Sequence, residues 1–213
     1  AAAHGFEKWV AVKLMHEHMS HDHEFVGMFL DEARIVSQLN HPNICQVMDF
    51  GDDDGRLYLV MEFLHGETLS SVVKKAWRDG KRIPLWLAAR IIADVARGLH
   101  AAHELKDREG NLVGLVHRDV SPQNVMVLYD GVSKLMDFGV VRAEGRLTET
   151  AAGTLKGKFA YMAPEQLRGM DTDRRADVWA LGVMLWEICC GQRLFRAKGE
   201  GQTAVMVLQN DVT

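Results

Sequence analysis

The spacing of apolar residues changes once along this chain, and that change restricts the fold more than any single residue does. Before Phe63 the apolar runs are short: Trp9-Val10-Ala11-Val12-Lys13-Leu14, Ile44 to Phe50 and Leu57 to Phe63 have the length and composition of strands. One helical stretch interrupts them. It runs from Phe25 to Leu39, with Phe25, Met28, Phe29, Ile35, Val36 and Leu39 largely at helical spacing, and Asn40-His41-Pro42 closes it. Gly51-Asp52-Asp53-Asp54-Gly55 is a polar cluster that predicts a hairpin between the two later strands. From Leu69 the pattern turns helical, over Leu69 to Trp77, Leu85 to Glu104 and about Asp177 to Cys190. A second hairpin is expected where Val125 to Leu128 and Ser133 to Met136 flank Asp130-Gly131. The expectation is an α+β chain with a small β-rich lobe over residues 1–64 and a larger helical lobe over 65–213, jointed near His65-Gly66.

Composition narrows the partners. With 47% hydrophobic and 25% charged residues among 213, the chain can bury a real core. A formal charge of -4 gives no basic field, which argues against a nucleic-acid partner. The longest apolar run, Val178 to Trp186, stops at Glu187, well short of the roughly 20 residues that span a bilayer, so no membrane contact is expected from this segment. The N-terminus lacks the regions of a signal peptide, and an odd count of three cysteines builds no disulfide framework. A reducing, cytoplasmic setting fits, with the cysteines as inert packing. The histidine-rich tract from His16 to His23 reads as a solvated connector.

Three motifs carry the chemistry, in this order: His117-Arg118-Asp119-Val120-Ser121-Pro122-Gln123-Asn124, then Asp137-Phe138-Gly139, then Ala163-Pro164-Glu165. They supply one acid to face a nucleophile, Asp119, and two oxygen ligands for a cation, Asn124 and Asp137. Agreement in type, order and spacing makes the set specific. It resembles the catalytic core of eukaryotic-type serine/threonine protein kinases, and Val120 to Asn124, Met28 to Ala33 and Gly55 to Glu62 are most similar to the bacterial branch.

That resemblance implies a two-lobed kinase fold, ATP with Mg2+ (or Mn2+ in its place) as cofactor, a protein substrate, and a domain of the kind often tethered to larger chains. Lys13, in Val10-Ala11-Val12-Lys13, would bind the α- and β-phosphates and pair with Glu32 of the helix. The adenine slot would be lined by Met61 at its rear, the backbone of Glu62 and Leu64, and Ala11 and Met126 on its two faces. Asp119 would accept or orient the proton of the acceptor hydroxyl, and Asn124 with Asp137 would hold the metal. His117 would be structural, in a column with Phe138, Met48 and Val36, anchored by Asp177. Arg118 would be regulatory, pairing with a phosphorylated segment that contains Thr148, Thr150 and Thr154.

Two departures from the family pattern stand out. The lysine expected two residues after the catalytic aspartate is Ser121, and the threonine expected seven residues before Glu165 is Lys158. In the family fold these positions are neighbours, so Lys158 is expected to supply the charge that Ser121 lacks. The family's glycine-rich loop does not appear in the twelve residues before Lys13, and its last helices do not appear before Thr213, so the resemblance implies a domain incomplete at both ends. Two rivals compete. A catalytically impaired pseudokinase that binds nucleotide or a partner would be expected to lose Lys13, Asp119 or Asp137, and all three are present. A small-molecule phosphotransferase of related fold usually lacks the Ala163-Pro164-Glu165 segment.

Overall fold

The computed structural model describes residues 7–15, 23–138 and 158–209. Its first sheet joins β1 (Val10–Leu14), β2 (Val47–Asp53) and β3 (Arg56–Glu62), all antiparallel, in the order β1-β3-β2. The predicted five-residue turn is mostly strand. Asp54 and Gly55 alone reverse the chain, with φ of 49° and 82°, which is the left-handed pair that matches the twist of two antiparallel strands. Along β1 the burial alternates, so Ala11 and Lys13 share the inner face while Val10, Val12 and Leu14 face out. Helix α1 (His23–Ser37) lies beside β2 and buries Phe29, Ala33 and Val36. Burial of each large side chain of this kind contributes about 1.5–3 kcal/mol.

β2 carries a bulge. Val47 pairs with Met61 and Asp49 with Val60, which leaves Met48 as the extra residue. Val47 is therefore buried, and Met48 is 41% exposed. This corrects the expectation that Met48 stands in the column with His117, Phe138 and Val36. The buried residue from β2 is Val47, and it belongs to one core cluster with Val36 and Phe138. The bulge inverts the alternation after Val47 and so turns Met48 to the outer face.

The second sheet orders β4 (Gly66–Thr68), β5 (Val125–Leu128) and β6 (Ser133–Leu135) side by side, antiparallel. The expected joint at His65-Gly66 thus opens a short strand. Gly66 is required there by close approach, since a Cβ would collide with the Val127 carbonyl oxygen. Thr68 then caps α2 (Leu69–Arg78), its Oγ1 accepting from the Ser71 amide at 3.2 Å. Helix α3 (Leu85–His103) packs against a later apolar helix, Arg175–Cys190, with Ile91, Val95, Leu99 and Ala102 against Ala180, Val183 and Met184 in the core. Between them lie a 3-10 turn, Phe159–Tyr161, and the one-turn α4 (Pro164–Leu167). The Arg175–Cys190 helix is α5, and α6 (Glu200–Gln209) follows it, which the apolar pattern did not predict.

The two sheets are tied through one strip of backbone. Cys45 N donates to Leu135 O at 2.8 Å and Leu135 N to Asn43 O at 2.9 Å, with the Asn43 amide on Ser133 O at 3.0 Å. This strip places the loop after β6 under the first sheet. The chain is thus the expected α+β arrangement of a small sheet lobe and a helical lobe. No helix among the described residues is long and apolar enough to cross a membrane.

Candidate active site

The loop from His117 to Asn124 is hung on one buried carboxylate. Asp177, 1% exposed in the first turn of α5, accepts from His117 N and Arg118 N, both at 2.9 Å, and from His103 Nε2 at 2.8 Å. Arg118 sits at φ 62°, a left-handed conformation that costs a non-glycine residue about 1–2 kcal/mol. The Gln166 side chain holds its other end, donating to Arg118 O at 3.0 Å while its Oε1 accepts from Ala163 N. The clamped strain aims the next residue, Asp119.

His117 is fully buried, and both ring nitrogens are taken by backbone. Nδ1 accepts from Asp119 N at 3.2 Å, so Nε2 is the nitrogen that donates to Met136 O at 2.9 Å. Burial lowers its pKa, and the Phe138 ring lies 4.7 Å from it, centroid to centroid. A neutral, doubly bonded ring is a fixture of the loop.

Asp119 Oδ2 receives two donors. Lys158 Nζ lies 2.6 Å away and Asn124 Nδ2 3.0 Å away, and the same amide also donates to Asp119 O at 2.8 Å. Spending both amide hydrogens on Asp119 turns the Asn124 carbonyl oxygen to the other side as an acceptor. Met136 N bonds Asn124 O at 2.8 Å, which sets the residue before Asp137 beside Asn124. Asp137 itself has φ 53° and accepts Lys13 Nζ at 2.7 Å on Oδ1. Arg118 and Asp137 are two of the three left-handed non-glycine residues among those described, and they bracket the site. The Lys13–Asp137 pair is over a third exposed on both sides, so it stabilises by at most about 1 kcal/mol. Its consequence is positional: it brings β1 to Asp137.

The residues expected around a nucleotide base are half-buried, as an open slot requires. Ala11 pairs with Met61 across β1 and β3, Leu64 follows β3, and Met126 lies on β5 in the other sheet. The Glu62 side chain turns to the rear, accepting from Gln46 N at 2.8 Å and Lys134 Nζ at 2.6 Å. Glu32 lies within α1, and its side chain is outside the described atoms, as are residues 139–157 with Thr148, Thr150 and Thr154, and the histidine tract before His23. Arg118 is exposed.

Sequence reasoning missed one cluster behind the site. Tyr161 donates to Glu187 Oε2 at 2.7 Å, and Arg193 bonds both, which fixes the 3-10 turn just after Lys158 to α5. Burial pushes the Glu187 carboxyl and the Tyr161 hydroxyl above their ordinary pKa values. A single acid in the otherwise apolar stretch from Val178 to Cys190 was the available signal. Cys45, buried beside the Glu62 carbonyl, has its thiol pushed up to about 12 by burial. It is expected to resist iodoacetamide at pH 8 in the native protein and to react only in denaturant, as peptide masses would show.

A sequence model of the protein kinase domain matches residues 2–212. Among curated proteins, tyrosine-protein kinase MasK of Myxococcus xanthus (strain DK1622) is 43% identical over 210 residues, 99% of this chain and 32% of that protein. Serine/threonine-protein kinase PknA of Mycobacterium tuberculosis (strain ATCC 25618 / H37Rv) is 38% identical over 195 residues, 89% of this chain and 42% of its own. PknL of the same strain, also a serine/threonine-protein kinase, is 36% identical over 203 residues, 95% and 48% respectively. The chain thus spans about a third to a half of the length of these relatives.

Proposed function

The chain belongs to the protein kinase domain family, and from that premise we propose that the protein transfers the γ-phosphoryl group of ATP to serine and threonine hydroxyls of protein substrates, as a bacterial signalling enzyme. The observation that carries this is the convergence on Asp119: a carboxylate aimed by a strained, clamped loop, with two oxygen ligands, Asn124 and Asp137, set beside it. In the transfer the acceptor oxygen bonds to the γ-phosphorus as the bond from that phosphorus to the ADP oxygen breaks. ADP leaves with the electron pair, and the hydroxyl proton passes toward Asp119.

The donor set fits a hard divalent cation, because an amide oxygen and a carboxylate are its preferred ligand types. Mg2+, or Mn2+ in its place, would neutralise phosphate oxygens when held by Asn124 and Asp137. Lys13 would bind the α- and β-phosphates from β1, with Glu32 as a further partner, and Ala11, Met61, Leu64, Met126 and the backbone of Glu62 would take the adenine. Arg118, exposed next to the base, would receive a phosphate placed on Thr148, Thr150 or Thr154. The ATP requirement and the unpaired cysteines Cys45, Cys189 and Cys190 support a cytoplasmic setting. Retention of Lys13, Asp119 and Asp137, all three of them in ion pairs, disfavours an impaired pseudokinase.

Tyrosine acceptors are the second reading, favoured by the 43% identity to MasK, which is named a tyrosine-protein kinase. Incubating the full-length protein with γ-labelled ATP and casein, then hydrolysing the labelled protein to amino acids, separates the two. Phosphoserine and phosphothreonine that disappear with EDTA are expected. Phosphotyrosine alone would move the assignment to tyrosine, and no label on any residue would overturn phosphoryl transfer.

A further inference from the structure

Ser121 is 2% exposed, and its Oγ finds no hydrogen-bond partner among the described residues. The side chain two residues beyond Asp119 therefore contributes neither charge nor hydrogen bond to the site; only the backbone carbonyl of Ser121 does, accepting from Asn124 N at 2.9 Å. An ammonium nonetheless stands on the Asp119 carboxylate, from Lys158, 39 residues later in the chain. Both side chains of that ion pair are about one-sixth exposed, at 16% and 15%, where screening by water is weaker than at the surface. Lys158 is also fixed from behind. Its carbonyl caps the turn through Tyr161 N at 3.0 Å, and Tyr161 is locked to Glu187 and Arg193.

Resting on the phosphoryl-transfer reading, we infer that Lys158 is a catalytic residue whose ammonium neutralises the transferring phosphoryl group, the charge having moved from the catalytic loop to the segment after it. A cation placed beforehand where negative charge develops stabilises the transition state without reorganising. Lys158 Nζ is within hydrogen-bond distance of the carboxylate that would face the acceptor oxygen, so the incoming phosphorus would lie next to both. Because the nucleotide's other contacts come from β1, the slot and the metal ligands, the cation acts on the transfer more than on ATP binding.

Consumption of γ-labelled ATP by the full-length protein, to protein or to water, would be measured for Lys158→Met, Lys158→Arg, Asp119→Asn and the double variant Lys158→Met/Ser121→Lys. Lys158→Met is expected to lower turnover at least about tenfold, with ATP affinity and melting temperature near those of the parent, and Lys158→Arg to retain most of the rate. Partial recovery in the double variant would place the charge, rather than the residue, as what is needed. Unchanged turnover in Lys158→Met, alongside a dead Asp119→Asn, would overturn the role of Lys158 while leaving phosphoryl transfer intact. Loss of rate matched by equal loss in Lys158→Arg and a lowered melting temperature would reduce Lys158 to a structural ion pair. If Asp119→Asn consumed ATP like the parent, the underlying reading would fail instead.

Discussion

Asp119→Asn is expected to lower ATP turnover about a thousandfold, within the range that a positioned general base supplies, while ATP affinity stays close to that of the parent. The substitution is nearly isosteric, so the loop should keep its path: its anchors are backbone groups of His117 and Arg118 on Asp177, and the Asp119 backbone carbonyl still accepts from Asn124. What changes is charge. The ammonium of Lys158 loses its counter-ion, and an amide nitrogen can stand where an oxygen accepted the acceptor proton. Initial rates with labelled ATP, paired with equilibrium binding of a non-hydrolysable ATP analogue, would check both halves. A rate within about threefold of the parent would remove Asp119 from the chemistry, since base catalysis is worth far more than that.

Much of this site was legible because phosphoryl transfer dictates residue type more strictly than packing does. The roles proposed for Asp119, Asn124 and Asp137 call for an acid and two oxygen ligands, and their spacing placed them on one loop and the turn after one hairpin. The proposed relocation of charge to Lys158 rests in the sequence on paired departures, a cation absent at 121 and present at 158. The clamps were less visible. Asp177 was named as the anchor of His117 through the resemblance alone; His103, Gln166 and the Tyr161–Glu187–Arg193 cluster act through partners tens of residues away, and no local pattern names a partner.

The fold shows the same division. Strands and helices with clean apolar periods were found, whereas Gly66-Glu67-Thr68 is too short and polar to show a period, and α6 begins among glycines that weaken helix propensity. The bulge turns Met48 out of the column that the resemblance implied, and nothing local in the sequence marks an inserted residue. These misses share a cause: each depends on a neighbour from elsewhere in the chain. β4 exists because β5 offers it an edge, and α6 because Thr203 and Val207 find cover.

Asp177→Ala should separate the clamp from the chemistry. The carboxylate touches no reacting atom in the proposed transfer, yet its loss leaves two amides, the buried His117 N and the part-buried Arg118 N, without an acceptor. Each such group costs about 1–3 kcal/mol, so the fold should lose about 2–6 kcal/mol. In a domain of this size that lowers the melting temperature on the order of 10 °C. The activity should fall as well, and for a further reason. Without the bond to Asp177, Arg118 is free to leave its left-handed conformation, which releases about 1–2 kcal/mol of strain and swings Asp119 away from Asn124 and Lys158. Asp177→Asn keeps one acceptor oxygen and should fall between the parent and the alanine variant in both properties. Thermal scans and initial rates measured well below the lower melting point would distinguish the effects. A melting temperature unchanged in Asp177→Ala would mean that the loop holds its shape by some other means, and the strained aim of Asp119 would then need a different source.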